Sequence, residues 1–160
     1  MIGIGIRVYS NSKVYYTIIE QDGINFNYIT VSNVIIPLSL NEPERLNYLR
    51  NTLIDISSEY KVNNALIRVR ESVQQVDKNA IQRFYVEGVI LETLASGAVN
   101  KYKLGNIASI TSLLNVNTAT FKQYIENTIP FPLLPSNLNW GTYSIEEKES
   151  IISCHASLNL

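Results

Sequence analysis

Ile2, Ile4, Ile6 and Val8 alternate with Gly3, Gly5 and Arg7, the two-residue period of a strand over Ile2–Tyr9. The second face of that strand has two glycines, which let another element approach the backbone closely, and Arg7 shares it. A turn at Asn11-Ser12 leads to strands over Val14–Glu20 and Asn25–Ile36, joined through Gln21-Asp22-Gly23, so three antiparallel strands open the fold. From Glu42 to Tyr60 the period changes: Leu46, Leu49, Leu53, Ile56 and Tyr60 recur at helical spacing, with Asn41 as N-cap and Pro43 in the first turn. A short strand over Ala65–Arg70 follows, then an amphipathic helix over Asn79–Ser96 through Ile81, Phe84, Gly88, Leu91 and Ala95, closed by Gly97.

Val99–Leu104 reads as a fifth strand, and Ile107–Leu114 and Thr118–Asn127 as short helices. Pro130, Pro132 and Pro135 break both periods and mark a loop. The last helix starts at Ser144, which with Glu147 forms a capping box, and runs through Ile151, Ile152 and His155. Three antiparallel strands followed by parallel strand–helix units predict an α/β mixed sheet of RNase H-like type with helices on both faces. Element order by itself leaves flavodoxin-like and other mixed sheets open.

Composition narrows the choice. A chain of 160 residues, 46% hydrophobic and 17% charged, suits one core, so a single domain over 1–160 is expected. With 13 Lys+Arg against 14 Asp+Glu, no global positive field favours polyanions. The charges are uneven: residues 61–122 hold eight basic against four acidic side chains, while residues 123–160 hold Lys148 against Glu126, Glu146, Glu147 and Glu149. One cysteine and one histidine leave no internal disulfide and too few soft ligands for structural zinc. With no signal peptide and no apolar run of membrane-spanning length, a cytoplasmic protein is expected.

Several stretches, in matching order along nearly the whole chain, resemble the RuvC-type Holliday junction resolvases. Gly3-Ile4-Gly5-Ile6-Arg7 resembles the family's first strand, Glu44-Arg45-Leu46 the start of its first helix, and Ala65-Leu66-Ile67-Arg68 its fourth strand. Val86-Glu87-Gly88-Val89-Ile90 resembles its second helix, Tyr102 with Ile107 the next strand-to-helix step, and Glu146-x-x-Glu149 the acidic pair of its last helix. The resemblance implies nucleic-acid chemistry on two divalent ions, held by an Asp ending the first strand, a Glu ending the fourth and acids of the last helix.

Here the strand positions carry Arg7 and Arg68, and a guanidinium repels a cation that a carboxylate would bind. Arg7, Arg68, Glu146 and Glu149 are therefore expected to be degenerate active-site positions, with no catalytic residue, metal or cofactor. No counterpart of the family's basic residues stands around Ala108, Ser109 and Phe121.

Two readings of the arginines follow. Arg7, Arg68 and Arg70 converge on a phosphate, giving a site that binds nucleic acid without cutting it; or Arg7 and Arg68 pair with Glu146 and Glu149, tying the last helix to the sheet. The leading expectation is a catalytically degenerate domain that binds branched or single-stranded DNA or serves DNA metabolism without cleavage, and the resolvase resemblance implies a homodimer. The alternatives are a structural subunit with a protein partner, and an active metal-dependent endonuclease with relocated ligands among Glu20, Glu71, Asp77 and Glu87. His155 is read as a core residue, Cys154 as an inert thiol, and Tyr15, Tyr16, Phe26 and Tyr28 as sheet packing. Lys101-Tyr102-Lys103 fits an exposed strand as well as a nucleic-acid contact.

Overall fold

The structure, a computed structural model, describes residues 1–69, 71 and 78–160. A five-stranded sheet is built from β1 (Ile2–Ser10), β2 (Lys13–Asp22), β3 (Asn25–Ile35), β4 (Asn64–Arg68) and β5 (Lys101–Gly105) in the order β3-β2-β1-β4-β5. β1, β2 and β3 are antiparallel neighbours, while β4 runs parallel to both β1 and β5. The hairpin between β2 and β3 is tighter than the sequence pattern implies. Asp22 pairs with Asn25, leaving Gly23 and Ile24 as the turn, with Gly23 at φ +60°.

One face of the sheet is covered by α1 (Glu42–Glu59) and α2 (Lys78–Thr93). Ile4, Ile6, Val8, Ala65 and Ile67 point there and pack with Leu49, Leu53, Val86 and Ile90. α1 starts at the Asn41 cap and is reinforced by a reciprocal bond from the Glu44 side chain. α2 is shorter than its apolar spacing predicts, because the backbone widens into a π turn over Leu94–Ala98, where Gly97 takes φ +98°. β5 begins two residues later than predicted, since Val99 is drawn into the core and Asn100 and Lys101 both donate backbone N–H groups to the Asn63 carbonyl.

The other face carries α3 (Ile107–Leu114), α4 (Thr118–Ile125) and α5 (Ile145–Ser157). Leu66 meets Ile110, Phe121, Ile151 and Ile152 there, with Phe131 and Trp140 from the proline-containing segment completing the cluster. α5 opens with the capping box between Ser144 and Glu147 and then buries every residue from Lys148 to Ser157.

The glycines of β1 explain how α5 lies so close. A Cβ on Gly5 would collide with the backbone of Ser150 and Cys154, and one on Gly3 with the side chains of Ser157 and Leu158. The middle and C-terminal end of α5 thus fill the space over the glycines, and the helix runs antiparallel to β1. Its N-terminal turn lies beyond that space, where Glu149 meets Arg7 two residues further along the strand.

Backbone meets backbone at Gly5, so Gly5→Ala should lower stability by about 3 kcal/mol or more, the upper range for overpacking. Gly88 in α2 has open space around the Cβ position, and Gly88→Ala should leave stability unchanged or raise it by up to about 1 kcal/mol. Urea titrations of the two variants check both signs.

Candidate functional site

The parallel pairing of β1 with β4 sets Arg7 directly beside Arg68. Both side chains stand on the α5 face, where two adjacent guanidiniums need a counter-charge to be buried. Glu149 provides it. Its Oε2 contacts Arg7 Nε, and its Oε1 accepts a hydrogen bond from Arg68 Nε at 3.2 Å. The Arg7 contact is ionic and lacks the alignment of a hydrogen bond, which leaves Nε and Oε2 without one. Arg7 Nη1 donates instead to the Arg68 carbonyl at 3.4 Å.

Two further carboxylates complete the cluster. Glu71 Oε1 lies 3.0 Å from Arg68 Nη1 and accepts the Ile107 N–H, also at 3.0 Å, so one side chain ties β4 to the start of α3. Arg68 Nη1 also donates to the Val69 carbonyl. On α2, Arg83 Nε pairs with Glu87 Oε1 at 2.8 Å. Burial pulls the Arg7 guanidinium down to about 10; Glu149 opposes this, Arg83 and Arg68 add to it, and Glu87 opposes it. Arg7 remains charged at neutral pH.

Of the residues singled out from sequence, Arg7, Arg68 and Glu149 come together. Glu146 is half-buried in the first turn of α5 and forms no ion pair among the described residues. Arg70 and Asp77 lie outside the described residues. Of the other acids considered as relocated ligands, Glu71 pairs with Arg68, while Glu87 pairs with Arg83 on its own helix and acts on Arg7 through space. Glu20 pairs with Ile2 at the opposite end of β1. Arg83 escaped notice, although its i,i+4 spacing from Glu87 was a signal for a helical ion pair.

The donor set does not fit the pair of divalent ions that the resolvase resemblance implies. Both oxygens of the buried carboxylate face guanidiniums, and two cationic side chains occupy the strand positions. Among the described residues no group of three or more His, Cys, Asp and Glu is arranged to hold a metal. What this arrangement does chemically is neutralise charge. Arg7, Arg68 and Arg83 are matched by Glu149, Glu71 and Glu87, and a phosphate approaching Arg7 or Arg68 would have to displace Glu149.

His155, further along α5, is buried and bonded through Nε2 to the Tyr28 hydroxyl at 2.6 Å; that hydroxyl also lies 3.3 Å from the Leu133 carbonyl. If Nε2 carries the proton and donates to Tyr28, whose hydroxyl donates to Leu133, no donor is left bare. Only the Nδ1 lone pair then lacks a partner. Phe26 and Phe131 pack edge-on against the ring. Burial pushes the imidazole down to about 3 and raises the Tyr28 hydroxyl well above its usual range. Burial likewise raises the Cys154 thiol, which donates to the Gly3 carbonyl at 3.1 Å. Lys101, Tyr102 and Lys103 are exposed on edge strand β5, and Lys101 Nζ donates to the Leu160 carbonyl at 2.6 Å.

The strand order, three antiparallel strands then two parallel ones with helices on both faces, defines an RNase H-like fold. Within that class it is of RuvC type. The structure of Thermus thermophilus RuvC in complex with a Holliday junction substrate superposes with a TM-score of 0.73 at 10% identity, covering 99% of this chain and 94% of that one. A second structure of Thermus thermophilus RuvC gives 0.69 over the same shares, also at 10% identity. The yeast mitochondrial Holliday junction resolvase Ydc2 gives 0.57 at 11% identity, covering 98% of this chain and 77% of that one. At the level of sequence, no protein-family model and no curated protein matches. Among the described residues no helix is long and apolar enough to cross a membrane.

Two outcomes follow. Glu149→Gln leaves two buried guanidiniums facing each other and should cost about 3–5 kcal/mol, the range for breaking a buried pair, as chemical denaturation will measure. His155 titrates near 3 folded and near 6.5 unfolded, so between these values the unfolded chain binds the extra proton. This contribution to stability is complete above pH 6.5 and is lost as pH falls, at about 1.4 kcal/mol per pH unit. A His155→Gln variant lacks that slope. Denaturation midpoints across this pH range should therefore converge with, or cross, those of the unaltered protein as the solution is acidified.

Proposed function

We propose that this chain is a non-cleaving RuvC-like domain acting in DNA metabolism, in which an ion-pair network replaces metal chemistry at the strand ends. The observation that carries the reading is Glu149 held between Arg7 and Arg68. The two-metal site that the resolvase resemblance implies needs that carboxylate free and two more on the adjacent strands, and in this chain the strand positions are cationic.

The DNA-binding part of this reading is supported by the fold, since RuvC is seen on a Holliday junction substrate in one of the superposed structures. In this reading the phosphate contacts come chiefly from the basic middle of the sequence, because Arg7 and Arg68 are already paired. Arg70 belongs to that basic stretch. Overall charge is close to balance, so affinity for branched or single-stranded DNA is expected to be weak and steeply salt-dependent. A homodimer belongs to the same reading, on the resolvase resemblance, and a cytoplasmic setting on the lone buried Cys154 thiol.

A second reading, a structural or protein-binding subunit, is favoured by the internal neutrality of the cluster. Anisotropy titrations at low and moderate salt separate the two: binding of a four-way junction or single strand that weakens with salt supports the first, and absence of binding to any DNA retires it. With Mg²⁺ or Mn²⁺ added, no nicking of junctions, flaps or RNA–DNA hybrids is expected. Nicking abolished by Glu149→Gln would overturn the non-cleaving assignment.

A further inference from the structure

We infer that the strand-end cluster is a cation site permanently filled by the chain's own guanidiniums, which keep α5 docked as a bound divalent ion would. The inference rests on the non-cleaving reading and deepens it. Arg7 and Arg68 are register neighbours on adjacent strands, a placement that repulsion disfavours unless an anion lies between them. Glu149 is that anion, with one oxygen toward each arginine. Its backbone position is set by packing, because the next residue, Ser150, abuts the backbone at Gly5 and its Oγ lies 2.7 Å from Thr17 Oγ1.

The anionic part of the site is therefore built into the helix and held by contacts that do not involve charge. What the arginines add is compensating positive charge, delivered from the sheet. Glu71 is a second fixed acid beside Arg68, anchored by the Ile107 N–H. If the guanidiniums fill a cation site, replacing them by carboxylates should leave an acidic cavity around Glu149 and Glu71 whose missing charge an oxygen-seeking dication can supply. If Arg7 and Arg68 are only one packing solution among many, the same replacements will destabilise the protein and dications will make no difference.

The test compares thermal unfolding of the unaltered protein, Arg7→Asp/Arg68→Glu, Arg7→Asp and Arg7→Met, in chelator and across a Mn²⁺ titration, with Mn²⁺ binding followed by electron paramagnetic resonance. The unaltered protein and Arg7→Met should show no Mn²⁺-dependent shift. The double variant should melt lower in chelator and rise by about 5–10 °C once Mn²⁺ exceeds its dissociation constant about a hundredfold, with saturation. Arg7→Asp retains Arg68 opposite Glu149 and covers the case in which the double variant does not fold; it should recover part of its loss with Mn²⁺. Equal responses of Arg7→Asp and Arg7→Met overturn the inference, as does a Mn²⁺ shift in the unaltered protein. DNA nicking by the unaltered protein would sink the non-cleaving reading, whereas a missing Mn²⁺ response in the variants would sink this inference alone.

Discussion

Two guanidiniums side by side on neighbouring strands would drive those strands apart, and one glutamate on the covering helix prevents it. Much of the geometry of the molecule is consistent with that requirement. Arg7 and Arg68 need an anion on the α5 face; α5 must lie close enough to present Glu149; and that closeness requires Gly3 and Gly5 in β1. Glu71 then joins the β4 arginine to the start of α3, and the Arg83–Glu87 pair borders the cluster from α2. β1, β4, α5 and the start of α3 are tied into one group on the α5 side, and the α2 pair acts on Arg7 through space. The cost of burying those charges is large, and complete pairing is the condition under which proteins tolerate it.

The strands and α1 are legible in the sequence because their signals are local. Period-two alternation in Ile2–Val8, the Asn41 and Ser144 caps and the spacing of Leu46, Leu49 and Leu53 need no knowledge of what lies opposite. The π turn at Leu94–Ala98 is not legible, since Leu91 and Ala95 continue the helical spacing through it, and the widening becomes clear only where Val99 enters the core. The adjacency of Arg7 and Arg68 came from the resemblance of two separate segments to neighbouring strands. Neither composition nor period places them together. Arg83 carried its local pairing signal, but its approach to Arg7 depends on how α2 crosses the sheet.

The burial of α5 from Lys148 onward is the feature the sequence disguises most. Lys148, Glu149, Ser150, Ser153, His155 and Ser157 give it a polar character, yet all are inside. Most are satisfied locally or by one partner: Ser150 by Thr17 and the Glu147 carbonyl, Ser157 by the Cys154 carbonyl, His155 by Tyr28, and Lys148 above the Trp140 ring at 5.7 Å. A hydrophobicity pattern marks apolar faces. It has no means of recording a polar helix whose partners are supplied one by one from β1, β2, β3 and the proline-containing segment.

Gly5 adds a property of a different kind. Where helix backbone rests on strand backbone, the seating of α5 is decided by excluded volume, which dissolved ions do not screen, whereas attraction between exposed charges is screened within about 8 Å at physiological ionic strength. The charge cluster thus inherits a frame that does not loosen in salt. Its carboxylate stays aimed at the strand ends under conditions that would scatter an equivalent set of charges on a flexible surface.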